Sequence, residues 1–358
     1  MEALKKNFRK ILILQTAFLG DVLLTLPMIH HLRKIFQNAE IDIVVRPEAK
    51  KIGEISLDLN NVIVFDKRNK NIKNTIELIK TIRSKKYDLL ISPHRSFRSS
   101  LISFLSRIPR RICFDKASFS FLYTDEVEYR KDKHEIERNL ALISEFVEVS
   151  DWKGKIPIKI FENPINEKLT DWIKSESKII CIAPFSEWYT KKYPETYFVR
   201  LIDSLISIGY KVILLGGLKD LENSDRITSD FKSNADIINF TGRLSISESI
   251  SIVDKCDLLI CNDSAPTHMG TLTSCPVLTI YGSTIPEFGF YPYREIDKVI
   301  QIENLYCKPC GIHGQKSCPE KHFRCMNELE PEQVFTVVKD LIKMSILIYY
   351  QFACSMYS

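Results

Sequence analysis

The chain has 358 residues, 45% of them hydrophobic and 27% charged, with a formal net charge of +5 at pH 7. This composition is typical of a soluble globular protein long enough for two domains, and it excludes a largely disordered chain. The mild positive charge permits an acidic partner or a membrane surface. No nucleic-acid recognition motif accompanies it, so we predict no nucleic-acid partner.

The amino-terminal stretch is basic and then apolar, but it lacks the features of a signal peptide. Gln15 interrupts the apolar stretch, Asp21 follows it, and no small-residue cleavage site appears. No apolar run reaches the ~18 residues that span a bilayer. The ten cysteines are scattered through apparent core positions and one late cluster, a pattern that favours a reducing cytoplasm. We therefore predict a cytoplasmic protein. Basic residues favour peripheral attachment to the membrane: Lys5, Lys6, Arg9 and Lys10.

Strands and helices alternate along the first half of the sequence. Apolar runs predict strands at 9–16, 40–45, 62–65 and 87–92. Helical spacing predicts helices at 17–36 and 74–85. This alternation favours a parallel α/β sheet. The pattern lapses between Ser150 and Asn166, so we predict domains at 1–160 and 161–358.

The alternation restarts in the second half. Strands are predicted at 178–183, 211–215, 237–240, 258–261 and 277–281. Helices are predicted at 193–208, 245–254, 267–273 and 331–348. Two α/β halves of similar size predict a ligand cleft between the domains.

Polar residues at strand ends are the candidate site residues of the first half, because open α/β sheets bind ligands there. Asp21 follows the first strand. The alternative for Asp21 is a favourable interaction with the dipole of its own helix. After the fourth strand, the basic stretch 93–111 could grip phosphate or carboxylate groups of an acidic acceptor, or could be a solvated basic face. The candidate acceptor-binding residues are His94, Arg95, Arg98 and Arg111.

The stretch 256–284 is the strongest candidate of the second half. It has the pattern of a strand, a polar turn with Asp263 and Ser264, a helix and a second strand. A helix N-terminus favours an anion, and a carboxylate beside it suggests a ligand with hydroxyl groups, such as a sugar phosphate. The alternative is that Asp263 or Ser264 only caps the helix.

Two further loops would face the same ligand. The loop 184–192 offers polar and cationic groups suited to a pyrophosphate, including Thr190 and Lys191. The loop 216–222 follows its strand with a tight turn and then acids, and a carboxylate there can hold a ribose diol.

Several motifs are absent from the sequence. It contains no G-x-G-x-x-G fingerprint, no P-loop and no D-x-D, so we predict neither a redox cofactor nor a metal bridge to a diphosphate. Four cysteines in the tail could form a zinc site or a packed group of reduced thiols, the latter being favoured. These are Cys307, Cys310, Cys318 and Cys325.

Taken together and in this order, the segments resemble glycosyltransferase family nine, the heptosyltransferases. The resemblance runs nearly from end to end. It rests on KILILQTAFLGDVLLTLPMIHHLRK, APFSEWYTKKYPETYFVRLI, VILLGGLKD, FTGRLSISE, LICNDSAPTHMGT, VLTIYGST and the CKPC…C…CM tail.

The resemblance implies the GT-B architecture, with two Rossmann-like domains facing across a cleft. The first domain would bind the acceptor and the second the nucleotide-sugar. It implies inverting, metal-independent transfer of a heptose from ADP-heptose to the inner core of lipopolysaccharide (a Kdo- or heptose-lipid A acceptor), at the cytoplasmic face of the inner membrane.

The resemblance also assigns roles to residues. The family's catalytic aspartate corresponds to Asp21, and its phosphate-binding lysine to Lys191. The ribose-binding acid corresponds to Asp220, with Glu222 as the second choice. The other donor-binding positions, with Ala265 where the family usually has glycine, are Thr190, Leu244, Asp263, Ser264, Ala265 and His268.

Three other functions are compatible with the sequence. A nucleotide-sugar epimerase of the same architecture would need no acceptor. A glycosyltransferase could use another nucleotide-linked sugar. A binding protein could retain the nucleotide pocket without catalysis, although Asp21 and Lys191 argue against it.

Overall fold

The computed structural model describes residues 8–68, 72–161, 172–173 and 176–355, with side chains in the last helix up to residue 344. The lead-in residues Lys5 and Lys6 lie outside the described residues. By its internal contacts the chain divides into two compact units, Met1–Lys159 (unit 1) and Ile160–Ser358 (unit 2).

Unit 1 contains one parallel sheet of six strands in the order β3-β2-β1-β4-β5-β6. The strands are β1 (Lys10–Leu14), β2 (Glu40–Val45), β3 (Asn61–Val64), β4 (Leu89–Ser92), β5 (Arg110–Phe114) and β6 (Asp125–Val127). The helices are α1 (Leu19–Leu23), α2 (Leu26–Ile35), α3 (Ile52–Ile55), α4 (Ile72–Lys85), α5 (Phe97–Ser106) and α6 (Glu135–Ala141).

Unit 2 also contains one parallel six-stranded sheet, in the order β12-β11-β10-β7-β8-β9. The strands are β7 (Ile179–Ala183), β8 (Lys211–Leu214), β9 (Ile237–Asn239), β10 (Leu258–Asn262), β11 (Val277–Tyr281) and β12 (Lys298–Gln301). The helices described are α7 (Glu195–Ser207), α8 (Leu221–Thr228), α9 (Ile246–Val253), α10 (Ala265–Thr271), α11 (Arg324–Asn327) and α12 (Pro331–Ser355).

The central strands are buried along almost their whole length. β4, β7, β10 and β11 have no exposed or half-buried residue. This is the pattern of a parallel sheet covered on both faces, and it explains why these strands appear in the sequence as continuous apolar runs. The four edge strands, β3, β6, β9 and β12, are three or four residues long and contain charged or amide side chains.

Both sheets have the doubly wound strand order of the Rossmann fold, counted from the first strand of each unit. The direction of winding reverses between β1 and β4 in unit 1 and between β7 and β10 in unit 2. Ligands of such sheets bind where the direction reverses, outside the carboxyl ends of the strands. The loops after β1, β4, β7 and β10 are therefore the expected ligand-binding loops.

Some elements differ from the sequence-based prediction. The predicted helix 17–36 is two helices, because the chain turns at Leu24 and Thr25 and Pro27 starts a new helix. The strands β5, β6 and β12 were not predicted. The last helix continues past the predicted end at residue 348, to Ser355. None of the helices in the described part of the chain combines the length and the hydrophobicity of a transmembrane span.

Candidate active site

Asp21 lies in the first turn of α1, directly after the loop that follows β1. Its Oδ2 accepts a hydrogen bond from the backbone N–H of Phe18 at 3.1 Å, and its backbone carbonyl accepts one from the Thr25 hydroxyl at 2.8 Å. The carboxylate thus interacts with the start of its own helix, as the helix-dipole alternative expected. The same contacts fix the carboxylate at the carboxyl edge of β1, where a ligand of unit 1 would lie.

His94 joins the two loops at the reversal point of unit 1. Its Nδ1 lies 2.9 Å from the Thr16 hydroxyl, after β1, and 3.1 Å from the Ser99 hydroxyl, on α5. Burial lowers the pKa of His94 to about 3, with further lowering by the charges of Lys67, Arg95 and Arg46. His94 is therefore a neutral side chain that holds the loops together, and it contributes no charge for an acidic acceptor.

Cations lie at the same edge of the sheet as Asp21. Arg46 directly follows β2, and its guanidinium lies 5.0 Å from the centre of the Phe18 ring. Lys67 follows β3, and Arg98 donates a hydrogen bond to its backbone carbonyl. Burial is the main cause of the lowered pKa of Lys67; Arg46 and Arg98 lower it further, while Asp21 and Glu48 raise it. Asp21, Arg46 and Arg98 thus each lie within electrostatic reach of Lys67.

A second carboxylate, Glu135, lies behind this edge at the start of α6. Its Oε2 is 2.9 Å from Nη1 of Arg138 and 3.3 Å from the Tyr129 hydroxyl. Arg95 lies over the same tyrosine ring, 3.7 Å from its centre. Burial raises the pKa of Glu135, Asp21 raises it further, and the arginines oppose the shift. The network fixes Arg95, a predicted acceptor-binding residue, over the Tyr129 ring.

Arg111, the fourth predicted acceptor-binding residue, does not lie with this group. It is the second residue of β5, at the end of the sheet opposite to the loops just described. Its guanidinium donates hydrogen bonds to the backbone carbonyls of Ile108 and Leu122. The sequence showed a basic stretch, but the β5 strand within that stretch carries Arg111 to the amino-terminal edge.

In unit 2, three loops meet at Asp263. Its Oδ2 lies 2.6 Å from Nζ of Lys191, which follows β7, and accepts a hydrogen bond of 2.6 Å from the Thr284 hydroxyl, after β11. The Lys191 and Asp263 side chains are only 13% and 7% exposed. The contact with Asp263 shields the Lys191 ammonium group from solvent and fixes its orientation. A multiply charged phosphate can compete with this single carboxylate for the ammonium group.

His268 lies one turn into α10, beside this pair. Burial lowers its pKa to about 4; Asp263 opposes the shift and Lys191 adds to it. Its buried Nδ1 has no hydrogen-bond partner among the residues that the structure describes. Buried polar atoms without a hydrogen-bond partner are rare in proteins, and a ligand contact is one explanation for such an atom.

Thr190, a predicted donor-binding residue, lies inside the loop that carries Lys191. It is completely buried, and its hydroxyl oxygen accepts hydrogen bonds from the Ser283 hydroxyl and the Gln315 N–H, each at 2.8 Å. Its contact with the donor remains a prediction. Thr190 connects the Lys191 loop to the turn after β11, and so it positions its neighbour.

The other predicted donor residues occupy the edge of unit 2. Ser264 precedes α10, and its hydroxyl donates to the backbone carbonyls of Asn262 and Phe185 rather than capping the helix. Ala265 is the first residue of α10. Asp220 accepts a hydrogen bond from the Gly217 N–H at 2.9 Å, after β8. Leu244 is half-buried against the core below β9. Their contacts with a ligand remain predictions.

The cysteine-rich tail packs beside the Lys191 loop. Gln315 pairs with Thr190, and the Cys310 N–H donates to the Ser283 carbonyl at 2.8 Å. Across the described part of the chain, no three His, Cys, Asp or Glu side chains are arranged to hold a metal ion. Nine of the ten cysteines have described side chains, and these nine are free thiols; the five predicted in the core are buried.

The comparisons with known proteins agree with this geometry. The family model "Glycosyltransferase family 9 (heptosyltransferase)" matches residues 75–322, more than half of the chain. The chain belongs to glycosyltransferase family 9. It is thus a glycosyltransferase, and the family resemblance found in the sequence is confirmed.

Individual relatives and solved structures match this chain over almost its whole length. Lipooligosaccharide heptosyltransferase 2 of Campylobacter jejuni is 25% identical over 340 residues, 94% of this chain and 99% of the relative. A family 9 glycosyl transferase of Veillonella parvula has a TM-score of 0.78 at 23% identity, covering 94% of this chain and 97% of that one. Escherichia coli ADP-heptose lps heptosyltransferase II has a TM-score of 0.75 at 21% identity, covering 94% and 99%. The predicted GT-B fold is confirmed.

Several site residues of this family 9 glycosyltransferase were missed by the sequence analysis. Arg46 is the first residue after the predicted strand 40–45, and Lys67 follows the predicted strand 62–65 closely. Applying the strand-end rule to every strand would have found both. Thr284 was within the examined stretch but had no assigned role. Glu135 and Tyr129 gave no signal, because the contact of Tyr129 with Arg95 depends on the unpredicted strand β6.

Proposed function

We propose that the protein is an inverting, metal-independent heptosyltransferase that transfers a heptose from ADP-heptose to the inner core of lipopolysaccharide. Family membership and the heptosyltransferase names of its relatives support this reaction. One observation supports the assignment of acceptor and donor binding to different units. The reversal point of each sheet holds a different charged group, the carboxylate of Asp21 in unit 1 and the buried cation of Lys191 in unit 2. Unit 1 would accordingly bind the acceptor, and unit 2 the donor.

Asp21 is the proposed general base. It takes the proton from the acceptor hydroxyl as that hydroxyl attacks the anomeric carbon on the face opposite the diphosphate. A positioned base contributes about 10²–10⁴-fold to a rate. Inversion follows because the bond to the acceptor forms as the bond to ADP breaks on the other side.

Lys191 stabilises the departing diphosphate. Its Nζ, 2.6 Å from Asp263 in this structure, exchanges that partner for phosphate oxygens. The neutral His268 and the Ser264 hydroxyl supply further hydrogen bonds, and Asp220 binds the ribose. Because these groups are protein donors, no metal ion is required, and we expect chelation with EDTA to leave the rate unchanged.

The cations around Asp21 bind the acceptor. Arg46, Lys67, Arg95 and Arg98 complement carboxylate or phosphate groups such as those of a Kdo-lipid A core. Their positive potential also favours the ionised form of nearby carboxylates. The acceptor is a membrane glycolipid, so the reaction would take place at the cytoplasmic face of the inner membrane.

The test is ADP release from ADP-heptose with and without a Kdo-lipid A acceptor. We expect turnover only with the acceptor, and we expect Asp21→Asn to lower kcat at least 100-fold with ADP affinity nearly unchanged. Asp132→Asn, an exposed aspartate of unit 1, is the matched control. Normal turnover by the Asp21→Asn variant would show that another group is the base.

The same assay separates the alternatives. An epimerase would change the donor without any acceptor, a binding protein would bind ADP without turnover, and another nucleotide-linked sugar would be used faster than ADP-heptose. We favour the heptosyl donor because the matching family is described as heptosyltransferase.

A further inference from the structure

Unit 1 exposes three phenylalanine rings in one continuous group, the phenylalanine patch. Phe97, at the start of α5, is 52% exposed; Phe119 is 50% exposed and Phe121 71%. The ring centres of Phe97 and Phe119 are 5.0 Å apart, and those of Phe119 and Phe121 are 5.6 Å apart. Single exposed apolar residues are normal, whereas a contiguous aromatic group indicates an interaction surface.

The patch is held in place by backbone contacts. The Ser118 N–H donates a hydrogen bond to the Arg95 carbonyl at 3.0 Å, which ties the 118–121 loop to the loop after β4. Phe119 itself adopts a left-handed backbone conformation with φ 57°, which is unfavourable for a bulky residue. The rings are therefore presented by a fixed loop, directly beside the cations assigned to the acceptor.

The apolar surface continues along α5. Phe97, Leu101 and Phe104 are spaced four and then three residues apart, so they share one face of the helix, and Phe104 is half-exposed. Two exposed cations are close to this surface in the sequence and form its basic border. Arg107 follows the end of α5, and Lys116 precedes the 118–121 loop. Asp115, paired with Lys116 at 3.0 Å, is the acid closest to them in the sequence.

We propose that the phenylalanine patch and its basic border bind the surface of an anionic phospholipid bilayer. Aromatic rings enter the interfacial region of a bilayer, while lysine and arginine pair with anionic headgroups. The inference extends the proposed function, since a protein acting on a lipid-anchored acceptor must work at a bilayer surface. The patch also identifies which face of unit 1 would meet the lipid, a role that the sequence analysis gave to the basic lead-in.

A second copy of the chain fits the patch less well. The exposed parts of the three rings amount to roughly 350 Å², against about 800 Å² per partner in a stable protein interface. A symmetric contact would also bring the two basic borders together. Area and charge therefore both favour a bilayer.

The experiment is cosedimentation of the full-length protein with sucrose-loaded vesicles, of phosphatidylcholine alone or with about 30% phosphatidylglycerol. We expect binding to the anionic vesicles, and weak binding to the neutral ones. The Phe119→Ser/Phe121→Ser double variant should bind at least about tenfold more weakly. The Lys116→Glu variant should bind the anionic vesicles about fivefold more weakly than the wild type does. Leu57→Ser, which removes a 60% exposed apolar residue elsewhere on unit 1, is the control and should bind as the wild type does.

Three results would overturn the proposal. The double variant could bind as well as the wild type, Leu57→Ser could lose as much binding, or light scattering could show that the double variant converts a dimer into a monomer. Turnover with an acyl-free, water-soluble core oligosaccharide keeps this result separate from the proposed function. The double variant should retain wild-type turnover with that acceptor. If the wild type binds vesicles but transfers no heptose, the proposed function fails and the bilayer surface stands.

Discussion

At the scale of single residues, the Lys191–Asp263 pair is the most informative feature of unit 2. Both side chains are almost completely buried, and each belongs to a different loop of the reversal point. Removing one member of a buried pair leaves the other charge without compensation, which is costlier than losing an exposed ion pair. The pair thus keeps the cation in position for a phosphate.

We predict that Lys191→Ala weakens ADP binding about 10- to 150-fold, because a hydrogen bond to a charged group contributes about 1.5–3 kcal/mol. Isothermal titration calorimetry with ADP measures this directly. The matched control is Lys192→Ala, which removes the neighbouring cation and should change the affinity less than about twofold. Equal losses in the two variants would mean that only the net charge of the loop matters.

The neutral state of His94 has a consequence for acid stability. The pKa of His94 is about 3 in the folded protein, against an ordinary value of 6.5. Below pH 6.5 the unfolded chain binds a proton at this position that the folded chain does not bind. Stability from His94 is therefore complete above pH 6.5, and it is lost as the pH falls toward 3.

We expect His94→Gln to reduce this acid sensitivity. Between pH 6 and pH 5, the free energy of unfolding should fall by about 1 kcal/mol less in the variant than in the wild type. Urea unfolding at several pH values gives the slope, and His313→Gln, at an exposed position, is the control. A wild-type slope in the His94→Gln variant would mean that the ring is already protonated in the folded state.

At the scale of elements, the turn after β11 joins the parts of the donor edge. Ser283 and Thr284 reach Thr190 and Asp263 respectively. Gly282 allows this close approach, because a Cβ there would lie 2.8 Å from the Thr190 carbonyl oxygen and 2.5 Å from the Met326 methyl group.

Gly282→Ala should therefore displace the turn. We predict a loss of about 1–3 kcal/mol in the free energy of unfolding, together with weaker ADP binding. Urea unfolding and calorimetry measure the two effects. In Gly154→Ala, the added methyl group meets chiefly the Asp151 side chain and backbone, so this variant should retain the wild-type ADP affinity. Undiminished stability and ADP affinity in Gly282→Ala would show that the turn is not a rigid connection.

The accuracy of the sequence-based prediction also differs between elements. Buried strands such as β2 and β11 were predicted at their observed bounds, because a strand covered on both faces is a continuous apolar run. β6 contains Asp125 and Glu126 and is a short edge strand, so hydrophobicity alone could not reveal it. Asp21, Lys191 and Asp263 were found because they follow predicted strands. The internal hydrogen bonds of Thr190 could not be predicted, since Ser283 and Gln315 lie far away in the sequence.

At the scale of the whole molecule, each unit has its own sheet, its own core and its own charged reversal point. Lys191, Asp263, Thr284 and His268 all belong to unit 2. We predict that residues 160–358, expressed alone, fold cooperatively and bind ADP with a Kd within about threefold of the full-length value.

Circular dichroism and calorimetry test this prediction, and the same fragment with Lys191→Ala is the control for specific binding. A folded fragment without ADP affinity would mean that unit 1 contributes essential donor contacts. The division of roles between the units would then need revision.

The edge strands of the two sheets are also similar. β3, β6, β9 and β12 are short, and they place residues such as Asn61, Glu126, Asn239 and Lys298 where unpaired backbone groups face outward. A long, flat, apolar border would invite another polypeptide to add a strand, which is how many proteins begin to aggregate. Neither described sheet has such an edge strand, so the fold disfavours edge-to-edge association of either unit with another chain.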